Sequence, residues 1–291
     1  MAEHYSPLRY PGGKAILSDF LIGVLESNPL HRIHYIEPYA GGAGAALRLL
    51  FEEHVECITI NDADPRVNSF WKAITEHNEE FVKLIQNVPL NVEEWRRQRV
   101  IYEECQTSNV LELGFAMFYL NRTARSGIVH NGGPIGGYDQ SGNYKIDARF
   151  NRKGLIRRIQ RIGAYSDRIS VSTKDGVELL QRLGDQDENG CHIFVYLDPP
   201  YYVKGAELYM NRFSDEEHEK LARFLEFGAA FPWIMTYDYV SAIIGLYKNF
   251  NQKEFYLSYS AYKRRRGKEV LIWPDSVEIK AVATEALPVV A

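Results

Sequence analysis

The sequence predicts an α/β fold in which a mostly parallel sheet begins, is interrupted by helices and then resumes. Residues 33–37 and 55–60 are short apolar runs, and an Ala- and Leu-rich segment, 43–53, lies between them. This is the pattern of a strand, a helix and a second strand. Further strand-like runs follow much later in the chain, at 169–172, 192–197 and 233–237.

The interrupting segment has the periodicity of helices. Apolar residues recur three or four positions apart in 70–88, 92–105 and 110–120. A glycine-rich stretch, 127–142, follows, and the alternating apolar residues of 144–150 favour a loop or a hairpin. We expect this part of the chain to present an exposed element to a partner.

The last third of the chain predicts a helix at 215–227 and a hairpin with arms at 255–261 and 269–273. The turn between these arms is strongly basic. Residues from 276 onward continue no such pattern, and we expect them to form a tail.

The composition is that of a globular protein, with 45% hydrophobic and 25% charged residues in 291. No apolar run approaches the roughly 20 residues that a helix needs to cross a bilayer. Residues 1–10 lack the apolar stretch of a secretory signal. A cytoplasmic location without membrane contact is therefore expected.

The cysteines and histidines predict neither disulfides nor a metal site. Cys57, Cys105 and Cys191 are odd in number and far apart, with no Cys-x-x-Cys spacing. His31 and His34 are three residues apart, but no acidic or cysteine partner follows at a useful spacing. We expect no bound metal.

The net charge of −4 conceals an uneven distribution. Residues 122–168 contain ten Lys or Arg against three Asp, and 263–268 add five basic residues without an acid. One such stretch is commonly a solvated surface, but two favour a surface that faces the phosphates of a nucleic acid.

The most specific motif is Asp198-Pro199-Pro200-Tyr201, directly after the apolar run 193–197. In open α/β sheets, ligands bind beyond the carboxyl ends of the strands. Consecutive prolines cannot donate to a sheet and hold the backbone extended, which leaves the Pro199 carbonyl able to face a ligand.

This motif suits the exocyclic amino group of a nucleic-acid base. Because the amino lone pair is delocalised into the ring, the nitrogen attacks poorly until acceptors bind its hydrogens. The Asp198 carboxylate and the Pro199 carbonyl can each accept one hydrogen and stabilise the developing positive charge. Tyr201 would stack on the base after it leaves the duplex. The same geometry serves adenine and cytosine.

A glycine-rich turn at 35–44 runs from a strand into a helix. Gly41, Gly42 and Gly44 allow close approach of the backbone to a ligand, although many nucleotide-binding enzymes share such turns. Asp62 follows the next strand, where a carboxylate can accept hydrogen bonds from the ribose of a cofactor. A helix cap is the alternative for this residue.

Two further segments carry weaker signals. Residues 8–14 end in Tyr-Pro-Gly-Gly-Lys, a turn that suits an anionic group but lacks Walker A spacing. Residues 120–127, Leu-Asn-Arg-Thr-Ala-Arg-Ser-Gly, open the basic region and suit phosphates or a guanine edge. An exposed helix C-terminus with favourable cations explains the second segment equally well.

In this order, the four motifs resemble the Dam-like family of DNA adenine methyltransferases, and the likeness extends from about residue 7 to 273. The resemblance implies a Rossmann-like S-adenosylmethionine-dependent methyltransferase sheet with an inserted, mainly helical DNA-recognition domain. It places the catalytic domain at 1–66 and 166–275, the recognition domain at 67–165 and a tail at 276–291.

The resemblance implies site-specific methylation of adenine in double-stranded DNA, by base flipping and direct transfer, with a restriction-modification or defence system as the setting. The implied cofactor-binding residues are Tyr10, Lys14, Glu37, Gly41, Gly42, Gly44, Asp62 and Asp198. The target base would be held by Asp198, Pro199, Pro200 and Tyr201. The candidate DNA-binding residues are Asn121, Arg122, Arg125, Ser126, His130, Arg265 and Arg266.

The chain departs from the GATC-specific members of that family after Leu-Asn-Arg-Thr. Arg125 stands where those members have an aromatic side chain that enters the DNA stack, and His130 stands where they have an arginine that reads guanine. We therefore expect another short target sequence.

Three other functions remain open from the sequence. A cytosine amino-methyltransferase would use the same acceptors, but such enzymes more often have Ser before Pro-Pro. A DNA-binding module without turnover conflicts with the intact Asp198. A nicotinamide-dependent oxidoreductase would share the glycine-rich turn and Asp62, yet it has no use for Asp-Pro-Pro-Tyr.

Overall fold

The computed structural model of the protein describes residues 5–9, 14–130, 132–202, 213–259, 265–280 and 287. At residues 14, 15, 258, 259, 265 and 266 it describes the main chain only.

Within these residues, seven strands form one sheet in the order β3-β2-β1-β4-β5-β7-β6. Pairing is parallel from β3 through β5, whereas β7 is antiparallel to both β5 and β6. The strands are β1 (His34–Glu37), β2 (Cys57–Asn61), β3 (Ile169–Ser172), β4 (Ile193–Leu197), β5 (Trp233–Asp238), β6 (Asn251–Tyr259) and β7 (Arg265–Trp273). The predicted Rossmann-like α/β sheet is confirmed, and so is the predicted final hairpin.

The strand order reverses between β1 and β4. From β1 the chain moves outward to β2 and β3, and it then returns to place β4 on the other side of β1. Parallel β1–β4 pairing sets His34 opposite Ile193 and Ile36 opposite Val195. The carboxyl ends of these two strands therefore lie side by side at the switch point, which is where open α/β sheets bind ligands.

Alternation along the strands supplies apolar residues to both faces of the sheet. In β4, Phe194 and Tyr196 join one apolar cluster, whereas Ile193, Val195 and Leu197 join the other. Helices cover both faces, as expected for a buried parallel sheet. The helices are α1 (Ser18–Ser27), α2 (Gly44–Phe51), α3 (Pro65–Glu76), α4 (Asn78–Asn87), α5 (Val92–Glu104), α6 (Val110–Thr123), α7 (Arg152–Ala164), α8 (Gly176–Leu180), α9 (Asp215–Phe227) and α10 (Ser241–Leu246).

Helices α3 to α7 lie between β2 and β3 in the chain, which confirms the predicted helical interruption. The predicted segment 70–88 is divided into α3 and α4 at His77. At 144–150 the sequence predicted a loop or a hairpin, and the structure has the loop, which contains a 3-10 turn at Ile146–Arg149. The periodicity also missed α7.

The interrupting helices share their core with the sheet. Phe70, Phe81 and Phe118 pack together and belong to the same apolar cluster as Tyr35 and Phe194 of the sheet. The division into a domain at 67–165 and one at 1–66 with 166–275 stays a prediction.

The start of the predicted tail is tied to the first helix. The Asn28 side chain donates to the Glu278 carbonyl at 2.9 Å and accepts from the Glu278 amide at 3.0 Å. Val277 and Leu287 are buried. The expectation of a tail from 276 is wrong at these positions, because apolar contacts and main-chain hydrogen bonds dock them.

Across the described ranges, no helix is long and apolar enough to span a membrane.

Candidate functional site

The carboxyl edge of the central strands brings three predicted acidic residues to one region. Glu37 ends β1, Asp62 follows β2 and Asp198 follows β4. Because β1 is paired with both β2 and β4, these groups share the edge at the switch point. Sequence positions that are far apart therefore form one candidate site.

Glu37 is a buried carboxyl with two hydrogen-bond donors. Its side chain is 5% exposed, and Oε1 accepts from the Tyr35 hydroxyl and the Ala46 amide, each at 3.1 Å. Burial raises the pKa of Glu37 to about 8, and the nearby Asp198 charge acts in the same direction. A cation placed beside this carboxyl would favour its ionised form.

Asp62 connects the end of β2 to the glycine-rich turn. Oδ2 accepts from the Gly41 amide at 3.1 Å, and Oδ1 accepts from the Asp64 amide at 2.9 Å. Burial raises the pKa of Asp62 to about 7. The helix cap that was the alternative for Asp62 is instead Asp64, which accepts from the Arg66 amide at the start of α3.

The glycine-rich turn is held from two sides. Gly41 and Ala43 both adopt positive φ, 48° and 44°, and α2 begins at Gly44. The Trp71 indole donates to the Gly41 carbonyl at 3.0 Å. The side-chain amide of Asn61 donates through Nδ2 to the Pro38 carbonyl at 2.8 Å. The turn through Gly42 is thus placed at the same edge as Glu37 and Asp62.

Asp198 leaves β4 with a partner on β5. The Thr236 hydroxyl donates to Asp198 Oδ1 at 3.3 Å. The Tyr196 hydroxyl lies 2.7 Å from the same Thr236 oxygen. This buried chain of hydroxyls orients the carboxylate, and sequence analysis did not identify it. The signal was present, since Thr236 is a polar residue inside an apolar strand.

The residues after Asp198 are fixed by β5 and β7. Pro199 is buried, and Pro200 is half-buried. The Tyr202 amide donates to Asp238 at 3.1 Å, and the Tyr201 hydroxyl donates to Glu269 at 2.7 Å. The Tyr201 side chain is only 7% exposed, so its ring has a set position. Its stacking on a base stays a prediction.

Some predicted residues fall outside what the structure describes. Tyr10 lies beyond the described ranges, and at Lys14 only the main chain is described, where a 3-10 turn begins. Arg265 and Arg266 are likewise described by their main chain, which begins β7 and pairs with Tyr259 and Ser258.

Asn121 requires a correction. Its side chain is 1% exposed, and Oδ1 accepts from the Arg9 amide at 2.7 Å. Nδ2 donates to the carbonyls of Arg9 and Gly127, at 2.8 and 3.1 Å. The predicted contact of Asn121 with DNA is wrong, because its buried side-chain amide already forms these hydrogen bonds with main-chain groups of the protein. Asn121 instead fastens the N-terminal segment to the end of α6.

Arg9 and Gly127 show how closely these two segments pack. Gly127 has φ +74°, and an added Cβ would lie 2.6 Å from the Arg9 carbonyl oxygen. The Arg9 guanidinium donates to the Ala124 carbonyl at 3.0 Å. Arg9, in the described part of the first motif, therefore packs directly against the motif at 120–127.

Arg122 lies in a cluster of guanidinium groups. It donates through Nε to the Arg149 carbonyl at 2.9 Å, and Nη2 bonds the same oxygen. Burial and the charges of Arg9, Arg158 and Arg149 lower the pKa of Arg122 to about 9. Mutual repulsion of this kind is relieved by an anion. Sequence analysis missed Arg9, and it included Arg149 and Arg158 only as part of the basic stretch.

The loop after α6 exposes two predicted residues. Arg125 and His130 are exposed, and Ser126 adopts φ +57° between them. Arg99 donates to the carbonyls of His130 and Gly132 and so supports the loop from α5. The loop therefore presents these side chains from a fixed base, whereas their contact with DNA stays a prediction.

Comparison with known proteins identifies a family. The family model for D12 class N6 adenine-specific DNA methyltransferase matches residues 10–269. No curated protein matches the chain. Among solved structures, the rRNA methyltransferase aviRa from Streptomyces viridochromogenes is 11% identical, with 94% of this chain and 86% of that chain covered and a TM-score of 0.34. A likeness this weak carries no argument.

Proposed function

The chain belongs to the D12 class N6 adenine-specific DNA methyltransferase family, and on that premise we propose that it transfers a methyl group from S-adenosylmethionine to the exocyclic amino group of adenine in a short duplex sequence. The single observation that carries the mechanism is the position of Asp198, at the switch-point end of β4 with its carboxylate oriented by Thr236. The family is adenine-specific, which favours adenine over cytosine.

The carboxyl edge fits S-adenosylmethionine, a cation that carries ribose hydroxyls. Glu37 is a buried carboxyl whose ionised form a neighbouring cation would stabilise. Asp62 is fixed by two amides and can accept further hydrogen bonds at its remaining lone pairs. With the turn at Gly41, Gly42 and Gly44, these residues would hold the cofactor. When bound, it supplies an electrophilic methyl group on sulfur.

The Asp198 carboxylate and the Pro199 carbonyl would each accept a hydrogen bond from one N–H of the target amino group. An acceptor for each hydrogen draws the nitrogen lone pair out of conjugation and stabilises the positive charge that develops during attack. The carboxylate is already oriented by Thr236, so little reorganisation is needed when the base arrives. Transfer is then direct, without a covalent bond between enzyme and base.

Tyr201 would support the flipped adenine. An amino group inside a duplex is beyond reach of Asp198, so the base must leave the stack. The hydrogen bond from the Tyr201 hydroxyl to Glu269 fixes the ring in the same loop as Asp198 and Pro199, the two proposed acceptors. An aromatic face that is already fixed needs little further ordering when the base stacks on it. Pro200 holds the spacing between acceptor and ring.

The DNA would be bound by the arginine cluster and read by the loop after α6. Arg122 with Arg9, Arg149 and Arg158 offers a concentrated positive field for phosphates. Arg125, Ser126 and His130 would contact base edges from the loop after α6, where Arg125 and His130 are exposed, and we propose a target other than GATC. Arg265 and Arg266 would add phosphate contacts. A cytoplasmic location and a partner restriction or defence system stay predictions.

The first test is methyl transfer from labelled S-adenosylmethionine to unmethylated DNA, followed by base-resolved mapping. We expect N6-methyladenine within one short sequence. Removing one acceptor from such a site typically costs about 100- to 1,000-fold in turnover, so Asp198→Ala should lose that much. The matched control is Asp185→Ala, which removes an exposed carboxylate in the segment that precedes β4. Near-normal turnover by Asp198→Ala would contradict the mechanism, and modification mapped only to GATC would contradict the proposed specificity.

A further inference from the structure

A group of metal-ligating side chains lies at the opposite edge of the sheet. His34 begins β1, Cys57 begins β2, and the two residues are direct partners in the parallel register. Asp187 lies in the turn before β4, in a segment closed by the Gln186–His192 bridge. One ligand atom from each of the three residues lies within 4.8 Å of the other two. This edge is separate from the site of Asp198.

The carboxylate of Asp187 is fixed by the main chain. Oδ1 accepts from the amides of Asn189 and Cys191, each at 2.9 Å. Oδ2 is then directed at His34 Nδ1, 2.9 Å away. Both side chains are largely shielded from solvent. The turn therefore holds a carboxylate oxygen where it can serve as a ligand, without any rearrangement of the backbone.

The ring of His34 is oriented from its other side. His34 Nε2 lies 2.8 Å from the Thr59 hydroxyl of β2. Histidines that bind metals commonly bond a second partner through the ring nitrogen that faces away from the metal. With Nε2 engaged by Thr59, Nδ1 is the nitrogen that faces Asp187. The second shell of a metal site is thus already present.

Two thiols complete the chemistry of the group. The Cys57 thiol is hydrogen-bonded to the thiol of Cys191, which is buried. Thiolates bind metals as deprotonated ligands, so a metal bound here would displace the proton of the Cys57 thiol.

We propose that His34 Nδ1, Cys57 Sγ and Asp187 Oδ2 bind a divalent transition metal, with zinc as the fitting ion. Imidazole, thiolate and carboxylate are all zinc ligands, and the fourth position of a tetrahedral site is open to water. Zinc bonds of about 2.0 to 2.3 Å hold ligand atoms about 3.5 Å apart. His34 Nδ1 and Asp187 Oδ2 are 2.9 Å apart and would separate by about 0.6 Å around the ion, and the Cys57 thiol lies within 4.8 Å of both. The bound ion joins β1, β2 and the segment before β4.

This site is structural rather than catalytic, and the proposal does not rest on the proposed methyl transfer. Its ligands lie at the amino edge, whereas Glu37, Asp62 and Asp198 lie at the carboxyl edge. The metal should therefore raise thermal stability and leave turnover nearly unchanged.

Cobalt is the probe for the test, because tetrahedral Co²⁺ bound by a thiolate shows charge-transfer absorption in the near ultraviolet and intense visible bands. The reduced, tag-free full chain is stripped with a chelator and titrated with Co²⁺ alone. We expect one Co²⁺ per chain with the thiolate band, and displacement of the band by Zn²⁺. Cys57→Ser should lose the band. Cys105→Ser, at the end of α5 and away from this edge, should keep it.

A second variant tests the orientation of His34. Thr59→Val removes the hydroxyl at constant shape, and the loss of such a second-shell partner should weaken metal affinity about 10- to 100-fold. Zn²⁺ should raise the unfolding temperature of the wild type but not of Cys57→Ser. Wild-type protein that binds Co²⁺ without a thiolate band, or not at all, overturns the proposal whatever the variants do. A band that survives Cys57→Ser overturns it as well.

Discussion

Replacing Glu37 by Gln removes a titratable proton from the core and keeps an acceptor oxygen for Tyr35 and Ala46. The ordinary pKa of the carboxyl is 4.5, and burial raises it to about 8 in the folded protein. Between these values the folded chain holds a proton that the unfolded chain has released. Stability contributed by Glu37 is therefore greatest at low pH and falls as the pH rises toward 8.

The size of the effect follows from linkage. One such group changes the free energy of unfolding by about 1.4 kcal/mol for each pH unit in the window. Across the whole window the loss is about 5 kcal/mol, a large share of the stability of a typical domain. The Glu37→Gln side chain does not titrate. The free energy of unfolding of this variant, relative to that of the wild type, should therefore rise steadily from about pH 5 to pH 8, and the difference should stay constant above pH 8.

The measurement is urea unfolding of both proteins, without cofactor, at several pH values across this range. Other titrating groups, Asp62 among them, contribute to both curves and cancel in the difference. Glu80→Gln, which alters an exposed carboxylate on α4, should follow the wild type at every pH. A constant difference between Glu37→Gln and the wild type would refute the assignment of a buried, protonated carboxyl at the end of β1.

Three further predictions concern Tyr201, in the loop that follows β4, and the proposed DNA surface. Tyr201→Phe keeps the ring but removes the hydroxyl bonded to Glu269, so it should cost about 1 to 3 kcal/mol in urea unfolding and retain more methyl transfer than Tyr201→Ala; equal transfer by the two variants would argue against stacking. Arg122→Gln should reduce the slope of log affinity for DNA against log salt by about 0.9, measured by fluorescence anisotropy. Arg182→Gln, which changes an exposed arginine paired with Glu178, should leave the slope unchanged. Neutralising Arg265 and Arg266 together should flatten the slope further, and an unchanged slope would remove them from the interface.

The sheet and the position of Asp198 could be predicted because their signals are local. An apolar run such as 193–197 is a buried strand wherever it lies, and a polar motif directly after it must emerge at the carboxyl edge. Asp62 follows by the same logic from β2, whereas Glu37 was implied only by the family resemblance. The pairing of β1 with β2 and β4 then brings the three acids to one edge.

Helix α7 was missed although its signal was present. Leu155, Ile159 and Ile162 are its buried residues, at helical spacing, but they are scattered among arginines and were interpreted as part of a basic surface. The arginines and the apolar stripe are two faces of one helix.

Asn121 and the arginine cluster could not be predicted, because their partners are distant in sequence. An asparagine beside two arginines is ordinarily exposed, and only the approach of Arg9 makes its amide an interior connector. The same packing carries Arg9 toward Arg122. Contacts between segments more than one hundred positions apart leave no mark in local composition.

The two edges of the sheet divide the expected roles of its residues. His34 and Glu37 lie three positions apart along β1, a distance of about 10 Å for an extended strand. The same strand therefore contributes a candidate metal ligand at one edge and a cofactor-binding carboxyl at the other, and β2 repeats the arrangement with Cys57 and Asp62. Since distant sites contribute nearly independently to stability, substitutions at the amino edge should alter metal affinity and thermal stability, whereas those at the carboxyl edge should alter methyl transfer.

A double variant such as Cys57→Ser with Asp198→Ala should show the sum of the two single effects on the free energy of unfolding. A departure of more than about 0.5 kcal/mol from that sum would mean that the sheet couples the two edges.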